Sequence, residues 1–212
     1  AVEEPWEVTE ALYTMSWRLS GARYAPAPRA LALTALSAKE YERAVEHYRC
    51  VVSAAPSSPG DWFSLGHCYL QLERFSEATA AFVMCCRASP SHAESWANLG
   101  TVHARLGAFE NAAEALRHAV RHSRRNWRMW QSYLSVCRAL DRWPQVLLAV
   151  RTLYRLDPVK LLDDRALGAL AVHCILDRTG DGKRKLPDSF VRQVGELLLE
   201  VSKGPAPPVS SL

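Results

Sequence analysis

The sequence predicts an all-α protein, a stack of tandem helix pairs, on three observations. Trp62, Trp96 and Trp130 lie 34 residues apart, and Pro56 and Pro90 keep that spacing, with Pro158 two periods further on. A fixed period of this length marks a repeated supersecondary unit. Apolar residues then recur at helical spacing around the tryptophans, as in Trp62, Leu65, Tyr69 and Leu72. Finally, 49% apolar against 23% charged residues in a chain of 212 provides a core. One helix pair cannot close over its own apolar face, so neighbours must stack.

The elements follow in chain order. Within residues 1–24, Glu7 to Ser20 reads as the second helix of an incomplete unit, with Leu12, Met15 and Leu19 on one face. Residues 25–58 hold Leu31, Ala44, Tyr48 and Pro56 in phase, with Pro28 where later units have tryptophan. Residues 59–92 carry the fullest pattern: Trp62-x2-Leu65-Gly66-x2-Tyr69, then Ala78, Phe82, Cys85 and Pro90. Gly66 and Ala78 let the backbones approach, and Ser76 is the expected N-cap of the second helix, with Glu77 in its first turn.

Residues 93–126 repeat the pattern as Trp96-x2-Leu99-Gly100-x2-His103, then Ala112, Leu116 and Ala119. Residues 127–160 keep Trp130 and Pro158 but put Tyr133, Leu134 and Cys137 in place of Leu-Gly-Tyr. A larger residue in the glycine slot is expected to loosen or tilt that pair. Across 161–203, Leu161 to Leu176 and Ser189 to Ser202 read as a terminal capping pair, the latter striped by Val191, Val194, Leu197, Leu198 and Val201. The proline-rich end, 204–212, is expected to be disordered.

Trp-x2-Leu-Gly-x2-Tyr followed by Ala, Phe, Ala and Pro at fixed offsets resembles the tetratricopeptide repeat. That resemblance implies a right-handed α-solenoid with a concave groove for protein partners and no enzymatic activity. Longer stretches are similar to the tetratricopeptide repeat protein 27 family: Trp17-x2-Ser20-Gly21-x-Arg23-Tyr24-Ala25, Trp62-Phe63-x-Leu65-Gly66, Ala81-Phe82-x2-Cys85, Glu94-x-Trp96-x-Asn98-Leu99 and Asn126-Trp127-x-Met129-Trp130-x2-Tyr133. The likeness covers roughly residues 12 to 160. It implies the C-terminal repeat region of a longer protein, a scaffold in client assembly or folding with links to the chaperone machinery.

First-helix positions that face inward in such arrays make Phe63, His67, Gln71, Asn98, Thr101, Arg105, Arg128, Gln131 and Ser135 the candidate groove residues. A carboxylate clamp for the acidic C-terminus of Hsp70 or Hsp90 needs Lys, Asn and Arg at set sites. One register puts Phe63, His67, Asn98, Arg128 and Ser132 there, of which only Asn98 and Arg128 fit; the register one repeat earlier puts Arg29, Leu33, Ser64, Glu94 and Asn98, where Glu94 repels a carboxylate. The clamp is incomplete, although Asn98 with Arg128 suits a single acidic group.

The net charge is +4, yet between Glu114 and Asp141 there are six arginines and no carboxylate, so the basicity is local. Arg117, Arg121, Arg124, Arg125 and Arg128 form a basic patch suited to an acidic protein segment, with a nucleic-acid-associated subunit as the competing reading. An architectural subunit of a large complex is the third class. Asp177, Thr179, Asp181, Gly182 and Asp188 only partly match a calcium loop, with Lys183, Arg184 and Lys185 among them, so a turn is expected and no metal. The seven histidines stand singly, with His103 in a core tyrosine slot, and Cys85 and Cys86 point about 100° apart around a helix. No catalytic constellation and no cofactor motif is expected. With no long apolar run, an acidic start and six cysteines without a CxxC pair, the expectation is a reducing compartment, cytoplasm or nucleus, and no membrane contact.

Overall fold

The computed structural model of the chain describes residues 5–21, 26–157, 168 and 187–203. It is all-helical, and the chain divides into two compact units, Ala1–His122 and Ser123–Leu212. The first contains α1 (Pro5–Leu19), α2 (Pro26–Ser37), α3 (Tyr41–Ala54), α4 (Pro59–Gln71), α5 (Phe75–Ala88), α6 (Ala93–Arg105) and α7 (Phe109–His122). The second contains α8 (Trp127–Ala139), α9 (Trp143–Leu156) and α10 (Asp188–Ser202). Sequential helices pair antiparallel: α2 with α3, α4 with α5, α6 with α7, and α8 with α9.

Two backbone devices recur with the sequence period. Each helix pair turns through one residue in the left-handed region: Lys39 (φ 62°), Glu73 (58°), Gly107 (74°) and Asp141 (52°). The following amide reaches back to seal the first helix, as in Arg74 N to Tyr69 O, Ala108 N to His103 O and Arg142 N to Cys137 O, each 2.9 Å. Each tryptophan pins the loop before its helix: Trp62 Nε1 donates to Pro56 O (2.7 Å), Trp96 Nε1 to Pro90 O (2.8 Å) and Trp130 Nε1 to Arg124 O (2.9 Å). The period of 34 is thus a loop-to-helix clasp as well as a packing register.

The core between paired helices depends on matching one small slot to one large side chain. A Cβ on Gly66 would lie 2.8 Å from the Phe82 ring, and one on Gly100 would lie 2.6 Å from Leu116 Cγ. By register the corresponding pairs are Ala32 with Tyr48 and Leu134 with Val150, all four buried. The sizes trade: where the slot gains a leucine, its counterpart shrinks to valine. Compensation keeps α8 paired with α9 although the glycine slot is filled.

One expectation is corrected. The residue before α5 is Arg74, not Ser76, and no side chain caps the helix. Ser76 lies inside the first turn because the left-handed Glu73 directs the chain into the helix two residues earlier. Arg74 instead donates from Nε and Nη2 to Glu77 Oε1 (2.9 and 2.7 Å), and this bonding holds Glu77 below the usual carboxylate range.

In the second unit α10 buries Phe190, Val194 and Leu197, and Tyr154 Oη on α9 donates to Glu200 O at 3.3 Å. Val191, Leu198 and Val201 of the expected stripe are only half-buried. Apart from Gly168, the expected helix Leu161 to Leu176 lies outside the described residues, as do the calcium-like loop before Pro187 and the tail from 204.

Candidate functional site

The outward faces of the first helices hold the sequence-predicted groove residues, unit by unit. On α4, Phe63 is committed to packing: its ring sits 6.0 Å from Phe82 and 5.2 Å from His92. His67 meets Tyr41 edge-on at 6.5 Å, and Gln71 is exposed at the end of the helix. On α6, Asn98 is half-buried and its amide makes no hydrogen bond among the described residues. Thr101 is exposed and its hydroxyl donates to Ala97 O at 3.0 Å, while Arg105 is exposed in the last turn.

In the second unit Arg128 and Gln131 are exposed on α8, and Ser135 donates to Ser132 O at 2.8 Å. Gln131, Ser132, Leu134, Ser135 and Arg138 line an open hollow of about 270 Å³. The helix is capped by Asn126, whose Oδ1 accepts from Arg128 N (3.1 Å) and Met129 N (3.4 Å). The predicted basic patch divides between the units. Arg117 and Arg121 end α7, with Arg117 held by Glu114 at 3.2 Å; Arg124, Arg125 and Arg128 precede or open α8, all exposed.

Sequence reasoning missed two polar clusters. Arg29 of α2 reaches Asp61 of α4, with Nε 2.9 Å from Oδ1 and a second contact from Nη2 to Oδ2. Asp61 is buried, and its bonding raises the Arg29 pKa above the ordinary value. The register held a signal, since Ala27, Ser95 and Met129 occupy the same buried slot and an acid there requires a partner. The pair also takes Arg29 out of service as a clamp cation.

The second cluster joins three helices. Cys85 Sγ donates to Pro59 O (3.1 Å) and lies 2.8 Å from Ser95 Oγ, which is 2.7 Å from His92 Nδ1; Ser95 N also donates to that nitrogen at 3.2 Å. A serine beside a histidine at this distance has nucleophile and base geometry, but Ser95 and Cys85 are both 0% exposed, so no substrate reaches them. The chain of bonds caps α6 and satisfies a buried hydroxyl.

The four buried thiols of the described residues are not poised for chemistry either. Burial pushes Cys68 up to about 11 and Cys86 up to about 12, and raises Cys85 and Cys137. Reactive cysteines show the opposite shift. His103, half-buried in its tyrosine slot, has its pKa lowered by burial. No group of three or more His, Cys, Asp or Glu among the described residues is placed to hold a metal. Nor is any described helix long and apolar enough to cross a membrane.

Paired helices of fixed period, an indole clasp and a small-residue contact at each strong unit define a helical repeat protein of the kind that presents surfaces to other proteins. The tetratricopeptide repeat pattern matches residues 29–84 and 74–127, and the chain is a tetratricopeptide repeat protein. Such repeats are generally protein-interaction modules and typically non-catalytic.

Over 92% of its length the chain is 36% identical to the tetratricopeptide repeat protein 27 homolog of Dictyostelium discoideum, of which it covers 23%. Over 88% it is 28% identical to a TPR repeat-containing protein of Schizosaccharomyces pombe, again covering 23% of that protein. The chain therefore spans about a quarter of the length of the curated relatives it matches. Among solved structures it is similar in fold to YrrB, described as a TPR protein with an unusual peptide-binding site. The TM-score is 0.65 at 18% identity, over 90% of this chain and 97% of that one.

Proposed function

We propose that this chain is a non-enzymatic scaffold that binds an extended client segment along the first helices, as part of a longer, chaperone-linked assembly factor. The observation that carries the reading is Asn98. A half-buried amide with both its donor and its acceptor unused among the described residues, on the outward face of α6, offers the complement of a peptide group. His67, Gln71, Thr101 and Arg105 extend a mostly uncharged polar surface on either side in the same unit. Arg29, the cation that a carboxylate clamp would use there, is engaged by Asp61, which supports recognition of a client backbone over a terminal carboxylate. The likeness to a structure described as having an unusual peptide-binding site supports the same class of ligand.

The test is a peptide array probed with the full chain and with Asn98→Ala. Losing a paired amide costs about 1–2 kcal/mol, or roughly a 10-fold weaker Kd, on peptides that bind this face. Unchanged affinities across the array would remove α6 as the binding face.

A further inference from the structure

The outer faces of the second helices carry a pattern that client binding on the first helices does not use. α1 sits in phase with α3, α5 and α7, so its residues can be compared slot by slot with theirs. Leu12, Met15 and Leu19 occupy three outward slots and are 63%, 61% and 83% exposed. In α3 those slots hold Glu46, Arg49 and Ser53, and in α7 they hold Glu114, Arg117 and Arg121. In α5 the last of them holds Arg87. Arg49, Arg87 and Arg121 are exposed and have no ion-pair partner among the described residues.

Helix dipoles account for Arg87 and Arg121 in last turns, but Arg49 lies one turn earlier and gains nothing from that field. Nor does any dipole account for three exposed apolar side chains where α3 and α7 are polar and α5 has only Ala80 and the half-buried Val83. The first unit therefore has an outer surface that begins apolar on α1 and from α3 to α7 carries Arg49, Arg87 and Arg121, with Glu46 one turn before Arg49 and Glu114 engaged by Arg117.

We infer that the outer surface of α1, α3, α5 and α7 is a second docking site, for an acidic protein segment with an apolar anchor. The anchor covers Leu12, Met15 and Leu19, and the carboxylates run onto Arg49, Arg87 and Arg121. Charge complementarity selects the acidic partner. A single-stranded nucleic acid would also meet the arginines, but it binds through stacking platforms. Around Arg49 and Arg87 the neighbouring side chains, Ser53, Ala80 and Val83, offer none, and beside Arg121 the His118 ring is already stacked on Trp96, which leaves the single exposed ring of His122 there. A second copy is disfavoured because three side chains fall well short of the ~800 Å² each partner contributes to a standard interface.

The experiment is fluorescence anisotropy with the full chain. The probes are a labelled peptide joining a leucine-bearing helical turn to an Asp/Glu run, the same peptide with its leucines replaced by serine, and a labelled oligo-uridylate. Leu12→Ser/Leu19→Ser and Arg87→Glu/Arg121→Glu change only exposed side chains, and unchanged circular dichroism will show that each fold is intact. Each pair is expected to weaken the first peptide by about 10-fold or more, with binding falling as salt rises. The serine peptide should bind about 10-fold more weakly, and Asn98→Ala should leave affinity unchanged, which separates this surface from the proposed client face. Equal binding by either double variant would overturn the inference. So would oligo-uridylate binding as tightly as the peptide, loss of binding on Asn98→Ala, or a dimer in light scattering that Leu12→Ser/Leu19→Ser dissolves.

Discussion

Replacing Gly100 by alanine adds one methyl group where the structure has no room for it. The new Cβ would lie 2.6 Å from Leu116 Cγ and 3.2 Å from Ala112 O, whereas carbon pairs rest at about 3.5–4.0 Å. Leu116 is 1% exposed and the clash is with its branch point, so the side chain cannot swing into solvent. Overpacking of this kind costs about 1–3 kcal/mol, and the better helix propensity of alanine returns about 1. With a backbone carbonyl also crowded, the expected net loss is about 1–2 kcal/mol, or roughly 2–4 °C of Tm per kcal/mol for a chain of this size. Urea and thermal denaturation measure it, with Gly60→Ala as control, since nothing lies within 4 Å of a Cβ there. Leu116→Val copies the buried valine opposite Leu134 and should recover about 1 kcal/mol in the Gly100→Ala background. A variant as stable as the parent, or strict additivity of the two changes, would refute the size-matching argument.

Removing either member of the Arg29–Asp61 pair should not be equivalent. Arg29→Ala strands a buried carboxylate and is expected to cost about 2–4 kcal/mol, whereas Asp61→Ala leaves an arginine able to reach water and should cost less; equal midpoints in urea would contradict this. The buried thiols predict an alkaline limit. Because their pKa values are raised in the fold, their contribution is complete below the ordinary thiol value of ~8.5 and declines as pH rises towards 11–12. Cys68→Val and Cys86→Val, which copy Val102 and Val120 one period on, should flatten the fall in Tm between about pH 9 and 11. At the turn, Glu73→Gly should raise stability by about 0.5–1 kcal/mol and Gly107→Ala should lower it by a similar amount, since both residues hold left-handed backbone; calorimetry on the two variants decides it.

Much of the fold is legible because the period fixes it. The tryptophan register places the paired helices, and the small slots at Gly66 and Gly100 give the closest contacts. The turns are another matter: Lys39, Glu73 and Asp141 adopt a glycine-like conformation without being glycine, so only Gly107 carried a composition signal. The Ser76 cap failed for the same reason, because the left-handed Glu73 and not the cap chemistry sets where α5 begins. Among the site residues, Asn98 keeps a free amide, but Phe63 turns out to pack on Phe82 and His92. Arg29 is visible as a clamp position, but its pairing with Asp61 is not, since a contact 32 residues away between first helices leaves no local pattern.

The change at Leu134 shows why a signature can fade while the fold persists. The glycine in Trp-x2-Leu-Gly-x2-Tyr is not needed for backbone conformation, because the slot lies inside a helix that alanine or leucine also adopts. It is needed only where the side chain opposite lies directly on the slot, as Phe82 and Leu116 do. Phe82 and Leu116 touch glycine, Val150 is set against leucine and, by register, Tyr48 against alanine, so the slot and its counterpart vary together and neither alone identifies the contact. A unit can therefore lose the glycine once its partner has shrunk, and the residue pair remains a valid packing solution although neither position matches the motif. Repeat units in this chain are better recognised by the two residues together, and by the indole that clasps the preceding loop, than by the glycine alone.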